Sequence, residues 1–129
     1  MKKDLLDSIY NQIKKAVSGY TKTDVYYSIL PNEDLLKNYS VVYNVSNASN
    51  VDSFDTKEKV KNYLLTIQIN NQTTNQIIDS IVFIKAQVYG LTSVNSSIKM
   101  ITEIDEDLFY DFDLKIFTGY LKYNIQYAQ

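Results

Sequence analysis

The chain has 129 residues and a formal net charge of −2, from 13 basic and 15 acidic side chains, which leaves room for one domain with a modest core. Every basic residue is Lys, and Arg, His, Cys and Trp are absent. These absences exclude Ser-His-Asp and Cys-His nucleophile pairs, zinc sites with imidazole or thiolate ligands, disulfides and a guanidinium grip on phosphate.

Met1-Lys2-Lys3 opens like a signal peptide, but Asp4, Asp7, Asn11, Gln12, Lys14 and Lys15 interrupt what would be its apolar core. Residues 3 to 18 instead predict an amphipathic helix, with Leu5, Leu6, Ile9, Ile13, Ala16 and Val17 on one face and Gly19 as terminator. Thr23 to Leu30 read as a short strand ended by Pro31, the only proline. Tyr39 to Ser46 alternate, with Tyr39, Val41, Tyr43 and Val45 facing one way. Residues 47 to 56 are rich in Asn, Ser and Asp and predict a loop or hairpin tip. The next strand runs to about Asn70, with Tyr63, Leu65, Ile67 and Ile69 on one face. Thr73 and Gln76 match a capping box, opening a second helix to about Tyr89. Its stripe is Ile77, Ile81, Ile84 and Val88, broadened by Ile78 and Val82, and Gly90 ends it. This helix is more apolar than the first, so deeper burial is expected. Ser97 to Asp105 alternate again, and Asp105-Glu106-Asp107 read as a turn. Residues 108 to 117 alternate but change phase near Gly119, which reads as a bulge or a strand start. The last strand is Tyr120 to Ala128, with Leu121, Tyr123, Ile125 and Tyr127 on one face.

The expected fold is α+β: one domain over 1–129, order α-β-β-β-α-β-β, with two helices flanking a mostly antiparallel sheet of about five strands. The longest purely apolar run, Ile81 to Ile84, is far short of a membrane span. The expectation is a soluble intracellular protein without a membrane partner.

Chemistry-bearing constellations are few. Glu103, Asp105, Glu106, Asp107, Asp111 and Asp113 form the densest feature. A calcium loop starting at Asp105 fails, because Phe109 and Tyr110 occupy its fifth and sixth positions. The acidic run reads as a solvated turn, as carboxylates without a supporting spacing rule, or as a negative surface along which a polyanion slides. The three glycines make no phosphate-cradling loop. Lys57, Lys59 and Lys61 alternate beside Asp55 and Glu58, a pattern that protects strand edges. The slightly acidic balance argues against a general nucleic-acid binder. No catalytic, cofactor or metal site emerges. The 12 tyrosines fit compositional bias as well as interface area, and exposed aromatics on the last strand would mark a partner site.

The layout of nearly the whole chain resembles the tail terminator, or tail completion, proteins of long-tailed bacteriophages. The features are the opening helix, Val25-Tyr26-Tyr27-Ser28-Ile29-Leu30-Pro31, the strand start Tyr39-Ser40-Val41-Val42-Tyr43 and the long strand at 59 to 70. The helix at 74 to 89 and the ending Thr118-Gly119-Tyr120-Leu121-Lys122-Tyr123-Asn124-Ile125-Gln126-Tyr127 complete them. The chain departs in lacking Arg and in its aromatic 108 to 117 segment. The resemblance implies a non-enzymatic virion protein at the tail–neck junction, made in the bacterial cytoplasm. It would form a homohexameric ring that caps the tail tube, stops its polymerisation and offers a joining surface to the head-side connector. Implied partners are itself, the tail tube protein and the connector or stopper protein, with DNA passing the lumen without specific binding and no cofactor. Candidate lumen-facing acids are Asp105, Glu106, Asp107, Asp111 and Asp113. The candidate tube or connector loop is Asn50, Val51, Asp52, Ser53, Phe54 and Asp55, and Tyr120, Tyr123 and Tyr127 are candidate subunit-interface residues. Alternatives are another neck component, such as a head-closure adaptor, distinguished by the partner it binds, and a non-phage partner-binding module, distinguished by a defined apolar pocket.

Overall fold

The computed structural model describes residues 3–17, 24–27, 40–47, 60–71 and 73–128. Gly19, Pro31, Tyr39, Lys57, Lys59 and the 50–55 loop lie outside them. Helix α1 spans Lys3–Val17, followed by strands β1 (Asp24–Tyr27), β2 (Ser40–Asn47) and β3 (Val60–Asn71). Helix α2 (Thr74–Tyr89) and the single turn α3 (Leu91–Val94) lead into β4 (Ile98–Asp111) and β5 (Ile116–Ala128). The described strands form one sheet in the order β1-β2-β3-β5-β4. It is antiparallel except for β1 against β2, which pair in parallel from Asp24↔Ser40 to Tyr27↔Tyr43. The α+β class and the expected element order hold.

Period-2 alternation sets the core. Val41, Tyr43 and Val45 of β2, Tyr63, Leu65, Ile67 and Ile69 of β3, and Leu121, Tyr123, Ile125 and Tyr127 of β5 are all buried on one face. Helices α1 and α2 cover that face with Leu5, Ile9, Ile13, Val17, Ile77, Ile84 and Val88. The helices pack side by side, α1 toward the β1 and β2 side and α2 over β5 and β3. Gln12 of α1 is buried at their crossing, and its Nε2 donates to the carbonyl oxygen of Gln87 at 2.9 Å. Gly90 has ordinary helical φ (−69°) and continues into α3, so its role as terminator is not the usual left-handed cap. A Cβ there would sit 3.1 Å from Gln12 Nε2, which makes Gly90 a spacer for that crossing.

Several expectations are corrected. Thr73 is the N-cap of α2 in extended conformation but makes no side-chain cap bond. Gln76 does not complete a capping box, because its Oε1 accepts from Asn71 Nδ2 instead. Helix α2 is not the better-buried helix, since Ile78, Val82, Phe83 and Tyr89 are exposed. Asp105-Glu106-Asp107 are not a turn. They lie inside β4, which continues to Asp111 through irregularities between Ile98 and Met100 and between Glu103 and Asp105. The extra residue at Ile104 breaks the alternation and disguises the strand. The turn is at residues 112–115, where Asp111 Oδ1 accepts from the backbone N–H groups of Asp113 and Leu114, both at 3.0 Å. Lys115 closes it with φ 56°. Gly119 is neither bulge nor strand start but a paired residue inside β5, opposite Ile69 and Leu108. A Cβ there would lie 2.7 Å from Ile77 Cγ2, so Gly119 lets α2 approach the sheet.

The other face of the sheet carries no described helix and is mostly polar, with Val42, Leu64 and Tyr120 set among its amides and hydroxyls. A ladder of buried polar groups crosses three strands at one end: Asn70 Nδ2 donates to Ser40 Oγ (3.4 Å), and Thr118 Oγ1 and Gln68 Nε2 donate to Asn70 Oδ1 (3.2 and 2.9 Å). By length and composition alone, Thr74–Val94 would pass as a membrane-crossing segment. In the fold it breaks at Gly90 and rests Ile77, Ser80, Ile84 and Val88 against the protein.

Candidate functional site

Two lateral edges and an open sheet face are the surfaces on which the fold concentrates unusual side chains. The first edge is formed by α2 and β4. The sequence stripe of α2 is wider than the core can cover, so Val82 (61% exposed) and Ile78 (48%) remain at the surface with Phe83. Strand β4 is the sheet's outer strand there and exposes Ile104, Leu108 and Phe109. Between helix and strand runs an open groove of about 390 Å³, lined by Ile78, Ile81, Val82, Glu106, Asp107 and Leu108. Lys85 bridges the two elements, 3.2 Å from Glu103 Oε1 and 2.9 Å from Glu106 Oε1. The hydrogen bond to Glu106, then that to Glu103, holds the Lys85 ammonium above its usual pKa.

The second edge is formed by β1 with the outer side of α1. Tyr43 is buried at its centre, and two exposed rings pack on it: Tyr27 at 5.2 Å and Tyr10 at 6.5 Å between centroids. Tyr27 Oη donates to the Val45 carbonyl at 3.3 Å. Burial, reinforced by Tyr10, Tyr27 and Asp7, pushes the Tyr43 hydroxyl up to about 12. Lys14 and Lys15 are exposed on the last turn of α1.

The open face presents Asn44, Asn62, Thr66, Gln68, Lys122, Asn124 and Gln126, all half-buried or exposed. Asn124 Nδ2 donates to Asn62 Oδ1 at 3.3 Å. Among these amides and hydroxyls stands one cation, Lys122, paired across the strands with Asp105.

The five acidic candidates do not share one wall. Asp105 pairs across the strands with Lys122 and Asp107 with Tyr120, which sets both on the open face, whereas Glu106 stands opposite Leu121 on the helix side. Asp111 and Asp113 belong to the hairpin turn, and Asp111 is committed to its backbone. Of the three tyrosines considered for an interface, Tyr123 and Tyr127 are core residues, at most 3% exposed, and only Tyr120 lies on the open face. The reason is parity: residues 121, 123, 125 and 127 form the face under the helices. Tyr127 Oη donates to Asp4 Oδ2 at 2.7 Å. Tyr123 Oη is buried with no hydrogen-bond partner among the described residues. The hairpin tip, missed from sequence, carries Phe112 at 82% exposure, its ring packed on Tyr110 at 5.0 Å. Among the described residues no group of three or more acidic side chains is arranged to hold a metal.

No protein-family model matches the chain, and no curated protein sequence matches it. Among solved structures it is similar in fold to a chain of the "Virion of native gene transfer agent (GTA) particle", with a TM-score of 0.53 and 10% identity. The match covers 97% of this chain and 95% of that one. At this identity the likeness is one of fold.

Proposed function

We propose that this chain is a structural component of a tailed, phage-like virion, and specifically the terminator that caps the tail tube as a homohexameric ring. It stops tube polymerisation and offers the joining surface for the head-side connector. The observation that carries the reading is the nearly end-to-end fold likeness to a chain of a gene transfer agent virion. The chemistry of the molecule agrees with it. The described surfaces offer apolar area rimmed by charge, which suits assembly. A ring requires two different patches that meet head to tail, and the molecule has two unlike lateral edges.

In this arrangement the polar open face borders the lumen, with Asp105 and Asp107 as the acids that keep DNA from adhering. Reversing both to Lys should slow DNA ejection while particles still assemble, and unchanged ejection removes this part of the reading. The loop containing Asn50, Val51, Asp52, Ser53, Phe54 and Asp55 is proposed as the contact with tube or connector. Deleting its tip should abolish docking to tube ends while the domain still folds. Synthesis takes place in the host cytoplasm.

The direct test adds purified chain to polymerising tail tube protein. Growth should stop, with the chain found at tube ends. Tubes that lengthen unchanged contradict the proposal. Binding to the connector without binding to tubes would instead identify a head-closure adaptor.

A further inference from the structure

We infer that the tip of the β4–β5 hairpin is a docking plug: Phe112 enters an apolar pocket rimmed by Lys or Arg on a protein other than this chain. The inference rests on the joining role proposed above and deepens it by naming a second docking surface.

The first support is an aromatic ring held out in solvent. Phe112 is 82% exposed, and Phe109 and Leu114 near it are exposed as well. Phe112 packs edge-on against Tyr110 at 5.0 Å, and Tyr110 against Phe117 at 4.8 Å. The turn beneath is fixed. Asp111 Oδ1 accepts from the N–H groups of Asp113 and Leu114, and the Asp111 carbonyl oxygen accepts from the Lys115 N–H at 2.8 Å. Reversing the chain calls for Gly, Asn or Asp and not for a ring. A ring already held by its turn loses little freedom when a partner buries it, and buried aromatic anchors carry much of an interface's energy.

The second support is charge. Asp107, Asp111 and Asp113 lie about the tip, and Lys115 is the one cation between residues 107 and 121. The N–H groups bound by Asp111 leave its charge in place. Strand β2 carries no charge, and neither does β3 from Asn62 to Asn71. Helix α2 starts beside this end of the sheet and brings Asp79, with no cation before Lys85. Lys85 is taken up by Glu103 and Glu106. The tip is therefore net negative, and its complement is an apolar pocket with a cationic rim. The α2–β4 groove of another copy is lined by Glu106 and Asp107, so it repels the tip instead of receiving it.

The third support is placement. Strand β3 runs from Val60, opposite Ala128, to Asn71, opposite Phe117. The 112–115 turn thus lies beyond the Asn71 end of the sheet. Strand β2 ends at Asn47, opposite Tyr63 near the start of β3, so the strands that flank the 50–55 loop meet at the opposite end. A protein that joins two unlike bodies needs a docking group at each end. The loop is proposed for one of them, and the plug serves the other.

The test measures binding of the full chain to purified tail tube protein and to purified head-side connector, each at several salt concentrations. Phe112 lies outside the core, so Phe112→Ser should melt like wild type. One of the two bindings should fall at least ~10-fold in Phe112→Ser, while Phe112→Leu keeps most of it. Asp113→Lys should weaken the same binding and flatten its dependence on salt. The other binding should ignore all three changes. Variants that bind both proteins like wild type overturn the plug, and tighter binding by Asp113→Lys overturns its cationic receptor. Sedimentation velocity covers the remaining occupant: variants that lose self-association but keep both bindings make the tip a contact between copies and overturn the proposal. A wild type that binds tube and connector while the tip variants change nothing removes the plug alone. A wild type that binds neither removes the joining role itself and the plug with it.

Discussion

Helices α1 and α2 lie side by side on one sheet face, yet they distribute their apolar residues differently. Helix α1 buries Leu5, Ile9, Ile13 and Val17 and turns Lys3, Asp7, Asn11, Lys14 and Lys15 outward. Apart from Tyr10, whose exposed ring packs on Tyr43, its apolar content matches what the core takes up. Helix α2 buries Ile77, Ile84 and Val88 and still exposes Ile78, Val82 and Phe83. Apolar residues beyond the needs of a monomer's core point to a surface covered in the assembled state. The contrast separates residues that hold the fold from exposed apolar residues that the monomer's core does not use.

Substitutions can break that contrast if it is wrong, and the largest effect is expected in the shared core. Ile67→Ala empties a fully buried site in the central strand β3 and should cost ~2–5 kcal/mol in a denaturant titration. Next is the α2–sheet contact. Gly119→Ala places a methyl against Ile77 and Ile81 and should cost ~1–3 kcal/mol, with α2 shifting away from the sheet. A marginal change would mean that α2 is looser than described.

Alkaline pH tests the second edge. The Tyr43 hydroxyl and the Lys85 ammonium hold their protons more tightly folded than unfolded. The unfolded chain therefore binds fewer protons at high pH, so stability falls as pH rises. For Tyr43 the loss begins near pH 10 and continues to about 12, at no more than ~1.4 kcal/mol per pH unit. Tyr43→Phe should flatten the slope of thermal stability in that window, and an unchanged slope would contradict the burial of the hydroxyl.

Smaller effects are expected where a polar atom or an outer residue is removed. Tyr123→Phe deletes a buried hydroxyl that lacks a described partner, so its stability should be unchanged or higher by up to ~1 kcal/mol; a clear loss would reveal a missing hydrogen bond. Val82→Ser should move monomer stability by less than ~0.5 kcal/mol, which is the sharpest single-residue expression of the difference between the helices.

Much of the fold was legible because its signals are local. Alternation at Val41 to Val45, Tyr63 to Ile69 and Leu121 to Tyr127 identified the residues that the helices cover. Helical spacing did the same for Leu5, Ile9 and Ile13. Strand β4 was misread because Ile104 interrupts its period and three successive acids have the composition of a turn. Buried polar residues such as Gln12, Asn70 and Thr118 cannot be found from pattern, since their respective partners Gln87, Ser40 and Asn70 come from other elements. The candidate site was legible in parts. Exposed acids on β4 were identified, but their division between two faces depends on an irregular register. Lys85, which joins them to α2, gave no signal outside the folded molecule. Tyr123 and Tyr127 share the alternation of Leu121 and Ile125, which already set them apart from Tyr120 as core residues rather than interface candidates.

The central claim is that this polypeptide terminates and joins tails. Electron microscopy of particles produced without it tests that claim most directly: tails should be overgrown in length and detached from capsids. Tails of normal length already joined to capsids would contradict it.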